Sequence, residues 1–226
     1  MIAKRIFRSS VGRKGLVAVT GLILLLFLVG HMLGNWNQLI GQEAMNHYAA
    51  TLKSMPGLLW TARIGLLLAL IVHVVFAIQL NIENRLARPQ KYVVNNKVQA
   101  PVASLTMVLT GVLILVFIVF HLMHFTAGIV EPDSFHLTDE KGRHDVYRMV
   151  LYGFSNPVFA ITYIVAMFVV CFHLSHGVQS LFQSFGITNR HNRPAINKIS
   201  WAIVVLLFAG LSIIPLLIVL KVITLP

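Results

Sequence analysis

The sequence predicts an all-α integral membrane protein, a bundle of five transmembrane helices with the N-terminus in the cytoplasm and the C-terminus outside. Of the 226 residues, 57% are hydrophobic and 11% are charged, whereas a soluble domain carries about 25% charged residues. Five stretches contain no Asp, Glu, Lys or Arg, namely Gly15–Trp36, Ile64–Ile82, Val98–Val130, Met149–Asn189 and Ile199–Leu220. A helix needs about 20 mostly apolar residues to cross the hydrocarbon core, and these stretches do not alternate as barrel strands do.

The first two helices follow the first two apolar stretches. The first is predicted over residues 15–37, after a basic amino end. That stretch is long enough to span a membrane and no small-residue cleavage site follows it, so we interpret it as a helix and not as a removed signal peptide. The second is predicted over residues 58–85, because Pro56-Gly57 interrupts the chain just before it.

The last three helices are predicted over residues 102–128, 157–185 and 198–222. Asn156-Pro157 suits the start of the fourth, since Pro is favoured in the first turn. Before it, Glu131–Arg148 carries charges of both signs and is predicted to be a short exposed segment. No internal repeat is predicted, and residues 1–226 are expected to form a single domain.

The net charge of +11 is unevenly distributed about this bundle. The amino segment and the two loops on its side carry twelve of the 18 basic residues, and the opposite side carries six of the seven acids. An excess of Lys and Arg marks the cytoplasmic side. The basic side suits anionic lipid or a soluble partner, and this distribution argues against nucleic-acid binding.

Cysteine usage excludes two kinds of covalent linkage. Cys171 is the single cysteine, and it lies within an apolar stretch. The sequence therefore has no disulfide framework and no C-x-x-C-H motif for covalent attachment of a c-type haem.

Histidines within the apolar stretches are the candidate functional residues. Such polar side chains are costly in a membrane and usually face the interior of the bundle or a cavity. Six of the ten histidines are placed in this way, on four of the five helices: His31, His73, His121, His124, His173 and His176.

The depths of four of these histidines predict two levels. At 1.5 Å per residue, His31 and His121 lie roughly 10 Å from the outer ends of their helices, and His73 and His173 roughly 25 Å from theirs. The levels are about 15 Å apart, and each takes one histidine from each of two helices. Facing imidazoles at equal depth suit the two axial positions of a b-type haem iron.

Other interpretations remain open at this point. Buried histidines also serve as packing residues or proton relays, and they bind zinc or copper. The pairs His121/His124 and His173/His176 have the i, i+3 spacing that puts both rings on one helix face. Equal depth favours His121 over His124, but spacing does not choose firmly within either pair.

Several segments resemble the five-helix, di-haem cytochrome b subunit (b558 type) of bacterial succinate dehydrogenases and fumarate reductases. The matching segments are Ser9-Ser10-Val-Gly-Arg-Lys14, Thr20-Gly21, His31-x-x-Gly34-Asn35, Phe120-His121-Leu and Phe172-His173-Leu-Ser175 with Gly177. The order of helices corresponds over nearly the whole chain. The resemblance implies a multi-pass protein of the bacterial cytoplasmic membrane, in the respiratory chain and the tricarboxylic acid cycle.

The resemblance also implies the cofactors and their ligands. His31 and His121 match the axial ligands of an outer haem b, and His73 and His173 match those of an inner haem b. It thereby selects His121 and His173 within their pairs. His124 and His176 become candidates for bonding a propionate or lining a cavity.

Partners and substrate follow from the same resemblance. The family anchors a flavoprotein subunit and an iron–sulfur subunit on the cytoplasmic face, and the whole complex can form a higher oligomer. It exchanges electrons with menaquinone or a related quinone, and the segment containing Glu43, His47 and Tyr48 is similar to one linked to quinone chemistry. Glu43 is the candidate for proton transfer, although a solvated loop acid is an equally good interpretation.

One position departs from the family pattern. Some fumarate reductases have a glutamate two residues before the fourth haem histidine as a proton path, whereas Cys171 stands here. The chain also has no flavin or dinucleotide motif, so succinate oxidation belongs to a partner subunit. The alternatives are a di-haem subunit of a hydrogenase or formate dehydrogenase, and a haem-free transporter with buried histidines.

Overall fold

A computed structural model describes residues 9–87 and 106–224 of the chain. Within these ranges, five helices are long and apolar enough to cross a membrane, which confirms the prediction of an all-α protein with five membrane-spanning helices. The predictions for the basic residues at positions 4–8 and 88–97, and for the start of the third helix at residue 102, lie outside the described residues.

The described helices are numbered here in chain order. The first half holds α1 (Ser10–Asn35), α2 (Asn37–Ile40), α3 (Gln42–Lys53) and α4 (Pro56–Leu86). The second half holds α5 (Met107–His121), which continues as one π-helical turn (Leu122–Thr126), then α6 (Pro132–Phe135), α7 (Val146–Ser155), α8 (Pro157–Ser184) and α9 (Arg193–Val219). The candidate membrane spans are α1 with α2, α4, α5 with the π turn, α8 and α9.

The ends of the spanning helices have capping residues with a clear physical role. The side chain of Ser9 accepts a 3.0 Å hydrogen bond from the backbone N–H of Gly12 at the start of α1. Asn156 does the same for Val158 at the start of α8, where Pro157 occupies the first turn as predicted. Both satisfy backbone donors that have no partner within the helix.

Two helices start earlier than predicted. α1 begins at Ser10 and not at residue 15, and α9 begins at Arg193 and not at residue 198. The prediction used charges as boundaries, but basic side chains at a helix end can extend their apolar stems along the helix and keep the charge in water. Arg13 within the first turns of α1 pairs with Glu83 near the end of α4.

The segment between α5 and α7 is not the short exposed loop that was predicted. It contains α6 and a bridge between Thr138 and His144, and its Asp145 is fully buried. Asp145 accepts hydrogen bonds from Gln42 at 2.7 Å and Asn46 at 3.0 Å, both on α3. The segment therefore packs against α3 and fixes its position.

The bundle is built from two neighbouring pairs of long helices and one covering helix. α1 packs along α4, α5 packs along α8, and α8 also contacts α1. α9 lies against α8 and α1, and the indole N–H of Trp36 donates to the carbonyl of Gly210 at 2.9 Å. Large apolar side chains on the outside of the bundle, such as Leu26, Val116 and Leu206, stay exposed, as expected of a surface that faces lipid.

Candidate functional site

His73 on α4 is oriented by residues of α1. Its Nδ1 lies 3.1 Å from the carbonyl oxygen of Val17 and 3.2 Å from the hydroxyl of Thr20. A carbonyl oxygen only accepts, so Nδ1 carries the hydrogen and the lone pair of the neutral ring is on Nε2. Gly21 allows this approach, because a Cβ there would lie 3.1 Å from the Cε1 of His73.

His173 on α8 is held in the same way by α5. Its Nδ1 lies 3.0 Å from the hydroxyl of Thr110, whose own hydrogen has the backbone carbonyls of Thr106 and Met107 as acceptors, and the ring also bonds the backbone of Met107. The ring passes Gly111, where a Cβ would lie 3.6 Å from its Cε1. The Nε2 of His173 therefore also bears the lone pair, the form of imidazole that binds a metal ion.

The two outer histidines face each other across the bundle. The ring centroids of His31 and His121 are 5.7 Å apart, with their planes at 89°. Two imidazoles that bind one metal ion through ring nitrogens at about 2 Å have centroids about 6 Å apart. Each ring has one further polar contact. The side-chain amide of Asn35 bonds the Nε2 of His31 at 3.0 Å, and the hydroxyl of Tyr163 lies 3.3 Å from the Nδ1 of His121.

An internal repeat relates α1 to α5, contrary to the prediction that none exists. Residues 17–31 and 107–121 align without a gap, with six identical pairs: Thr20/Thr110, Gly21/Gly111, Leu25/Leu115, Phe27/Phe117, Val29/Val119 and His31/His121. The contacts repeat as well, since each Thr bonds the histidine of the next long helix. Each Phe also lies beside the outer histidine one turn later, with centroids 5.5 and 5.9 Å apart.

A hydrogen-bonded chain connects the outer level with the loop after α5. The hydroxyl of Tyr163 lies 3.3 Å from the Nδ1 of His121 and 3.1 Å from the Nδ1 of His124. The Nε2 of His124 lies 3.4 Å from the carboxylate of Glu131. His124 is 2% exposed and stacks on Phe125 at 3.9 Å, so its polar atoms depend on these two partners.

Local backbone geometry allows these hydrogen bonds between Tyr163, His124 and Glu131 to form. His124 belongs to the π-helical turn that follows α5, a distortion that often occurs at functional sites. Gly128 then adopts a φ of +64°, a conformation that L side chains rarely adopt, and the chain turns there ahead of Glu131. On the other side, Gly153 of α7 leaves room for the ring, because a Cβ there would lie 3.0 Å from the Nε2 of His124.

The three residues linked to quinone chemistry by resemblance do not all face one site. Glu43 and His47 line a surface depression of about 640 Å³ beside α3. Tyr48 points elsewhere, with its ring against Gly34 of α1. The carboxylate of Glu43 pairs with Arg143 at 2.7 Å and Lys141 at 2.8 Å, and these bonds lower the pKa of Glu43 to about 2.

Two further positions of interest lie on α8. His176 is half-buried one turn after His173 on α8. Cys171, where some relatives have a glutamate, is buried in the apolar cluster that Met32, Val204 and Leu207 form between α1, α8 and α9.

Comparison with known protein families identifies the family to which the chain belongs. Residues 83–214 match the family described as succinate dehydrogenase/fumarate reductase transmembrane subunit. The chain belongs to this family. No curated protein and no solved structure gives a significant match.

Membership in the succinate dehydrogenase/fumarate reductase family confirms the resemblance drawn from the sequence. The chain is a multi-pass membrane anchor of the cytochrome b type, and the family associates with a flavoprotein and an iron–sulfur subunit. The matched residues include His121 and His173, whereas His31 and His73 lie before them. The family match therefore covers only the second half of the site, and the repeat relates α1 to α5 independently of that match.

Sequence reasoning missed three residues of this family member's site: Thr20, Thr110 and Tyr163. The first two carried a usable signal, the Thr-Gly pair followed by His eleven residues after the Thr in both halves. Tyr163 carried none, because its role depends on which helix face α8 presents to α5.

Proposed function

We propose that this chain is the anchor and electron-transfer subunit of a succinate:quinone oxidoreductase, with two b haems between an iron–sulfur subunit and menaquinone or a related quinone. The observation that carries the proposal is the arrangement of four membrane histidines, in which His31 and His121 end the two copies of the repeat and His73 and His173 each bond its equivalent threonine. Haem, when bound, supplies one-electron transfer.

The outer pair, His31 and His121, is proposed to hold the outer haem. These residues occupy equivalent positions in the repeat, and their centroid separation of 5.7 Å is close to the roughly 6 Å that two imidazoles on one metal ion require. His31 of α1 and His121 of α5 would therefore hold the haem from aligned positions on two helices.

The inner pair, His73 and His173, is proposed to hold the inner haem. Thr20 and Thr110 fix the Nδ1–H of these rings, which leaves each Nε2 as the metal-binding atom. Hydrogen bonding of the second ring nitrogen is a general feature of metal-binding histidines, because it sets the tautomer and the ring orientation.

The number of donors at each level argues against zinc or copper. Structural zinc takes four protein ligands and catalytic zinc takes three. Within residues 9–87 and 106–224, no group of three or more His, Cys, Asp or Glu side chains could hold a metal ion. Two imidazoles without further donors suit a haem iron, whose other four ligands come from the porphyrin.

The proposed orientation has the N-terminus in the cytoplasm of a bacterium, where the basic amino segment and inner loops dock the partner subunits. The distribution of Lys and Arg supports it. Of the alternatives, the family match favours a succinate dehydrogenase or fumarate reductase over a hydrogenase or formate dehydrogenase, and the paired histidines disfavour a haem-free transporter.

For the quinone, we propose the outer depression lined by Glu43 and His47. Arg143 and Lys141 hold the Glu43 carboxylate ionised, with its pKa at about 2, and such a group is a poor proton acceptor near neutral pH. We therefore assign Glu43 a fixed negative charge at this site, and we propose that His47 contacts the quinone there. Tyr48 supports the segment by packing on Gly34.

Purification of the intact complex tests the proposal. The expected result is a b-type band in the reduced-minus-oxidised spectrum, two haems per copy of this chain, and co-purification of a flavoprotein and an iron–sulfur protein. A complex that contains those partners but no haem would leave the anchor role and remove the electron-transfer role.

A further inference from the structure

A single hydroxyl joins two histidines that must play opposite roles. Tyr163 has one hydrogen, yet its oxygen lies within hydrogen-bonding distance of the Nδ1 of both His121 and His124. It can donate to only one of them. The other ring must donate to the tyrosine oxygen, so the tautomer of one histidine determines that of the other.

The position of Glu131 determines which of the two histidines accepts the hydrogen of Tyr163. Its carboxylate faces the Nε2 of His124, and an ionised carboxylate only accepts. His124 therefore carries its hydrogen on Nε2 and accepts from Tyr163 at Nδ1. Tyr163 then accepts from the Nδ1–H of His121, whose Nε2 is left with the lone pair. All three bonds point outward, from His121 to Glu131.

From this geometry we infer that Glu131 is a positioning residue for the outer haem. Acting through His124 and Tyr163, it sets the His121 tautomer that binds iron and supplies negative charge to that ligand. The inference rests on the proposed function, since it takes His121 as an iron ligand. It adds a role for residues that the resemblance assigned only loosely, as for His124, or not at all, as for Tyr163 and Glu131.

The apolar surroundings strengthen the electrostatic effect of Glu131 on His121. Tyr163 and His124 lie among Phe117, Phe120, Phe125, Phe154 and Phe159, and electrostatic effects are stronger in such apolar surroundings than in water. Glu131 itself is 26% exposed. A hydrogen bond from a metal-bound histidine toward a carboxylate raises the basicity of that ligand, which stabilises oxidised iron and lowers the midpoint potential.

The inner level provides an internal reference. The rings of His73 and His173 bond threonine hydroxyls and backbone carbonyls, and none of these partners is charged. Loss of the Glu131 charge should therefore affect one haem of the two. This asymmetry is a result that general loss of packing would not produce.

The test is a redox titration of the purified complex, with haem content measured on the same sample. We compare wild type with Glu131→Gln, which removes the charge, and Tyr163→Phe, which breaks the chain and keeps the ring. Glu140→Gln is the matched control, since it removes a charge from the same outer loop at an exposed site. We expect both test variants to keep two haems and to raise the midpoint potential of one haem only.

The outcomes separate this inference from the proposed function. Equal potentials in Glu131→Gln and Glu140→Gln, or equal shifts of both haems, would overturn the role of Glu131 and leave the haem assignment intact. A wild-type complex without haem would overturn both. If Tyr163→Phe loses haem, the Glu131→Gln titration still decides the result, because that substitution is at a partly exposed side chain.

Discussion

The rings of His31 and His121 face each other at a centroid distance of 5.7 Å although 90 positions separate them in the chain. They occupy aligned positions, since His31 ends the repeat on α1 and His121 ends it on α5. The same repeat supplies Thr20 and Thr110 to the inner histidines. The repeat therefore contributes the two histidines of the outer pair and the threonines that bond the inner pair.

Removal of a single proposed ligand should remove one haem. We expect His73→Ala to lower the haem content from two to one per complex and to leave the outer haem in place, because the two levels share no ligand. His191→Ala, at an exposed histidine between α8 and α9, is the control and should keep both haems. Haem extraction and reduced-minus-oxidised spectra measure the result. Retention of two haems in His73→Ala would refute the proposed inner pair.

The glycines beside the inner histidines should differ in their sensitivity. A Cβ at position 21 would lie 3.1 Å from the ring of His73, tighter than normal contact, whereas one at position 111 would lie 3.6 Å from His173. We expect Gly21→Ala to change the spectrum or occupancy of the inner haem and Gly111→Ala to change neither.

The control for both is Gly15→Ala, since a Cβ there has no neighbour within 4 Å. Alanine favours a helix interior over glycine by roughly 0.5–1 kcal/mol, so propensity alone would stabilise all three variants. Identical spectra for all three would show that His73 does not depend on close packing against α1.

The repeat predicts equal roles for its two threonines. Thr20→Val and Thr110→Val keep the shape of the side chain and remove the hydroxyl that fixes Nδ1. Loss of such a partner typically weakens metal binding 10–100-fold, and the remaining backbone carbonyls should hold the effect at the lower end. We expect both variants to lose the inner haem more readily than wild type when an apo-globin is added to compete for haem. Thr162→Val, at an exposed site on α8 that bonds its own helix, should have no effect.

Much of this site follows from the sequence because depth in a membrane is a one-dimensional quantity. Counting residues from helix ends placed His31 with His121 and His73 with His173. The count does not reveal which side of a helix faces its neighbour, so it missed Tyr163. It also treated charge as a marker of exposure, and for that reason it missed the buried Asp145 and the docking of α3.

The pairing of Glu43 with Arg143 and Lys141 should make part of the stability dependent on pH. The bonds from these two cations lower the pKa of Glu43 from 4.5 to about 2. A depressed carboxyl pKa stabilises the folded state above the unfolded value, and this contribution is lost as pH falls from about 4.5 to about 2. Melting temperatures at pH 6 and pH 3 should differ less in Glu43→Gln than in wild type. An equal difference in the two proteins would show that the exposed pairs contribute nothing measurable.

Asp145 should be the most sensitive residue of the outer segment. It is fully buried and accepts bonds from Gln42, Asn46 and the backbone N–H of Arg148. Asp145→Ala leaves buried donors without an acceptor and removes the cap of α7, for a combined cost of roughly 3 kcal/mol. We expect lower thermal stability in detergent and faster proteolysis of α3. Asp133→Ala, at an exposed site in α6, should match wild type, and equal behaviour of the two variants would mean that α3 is held by its apolar contacts alone.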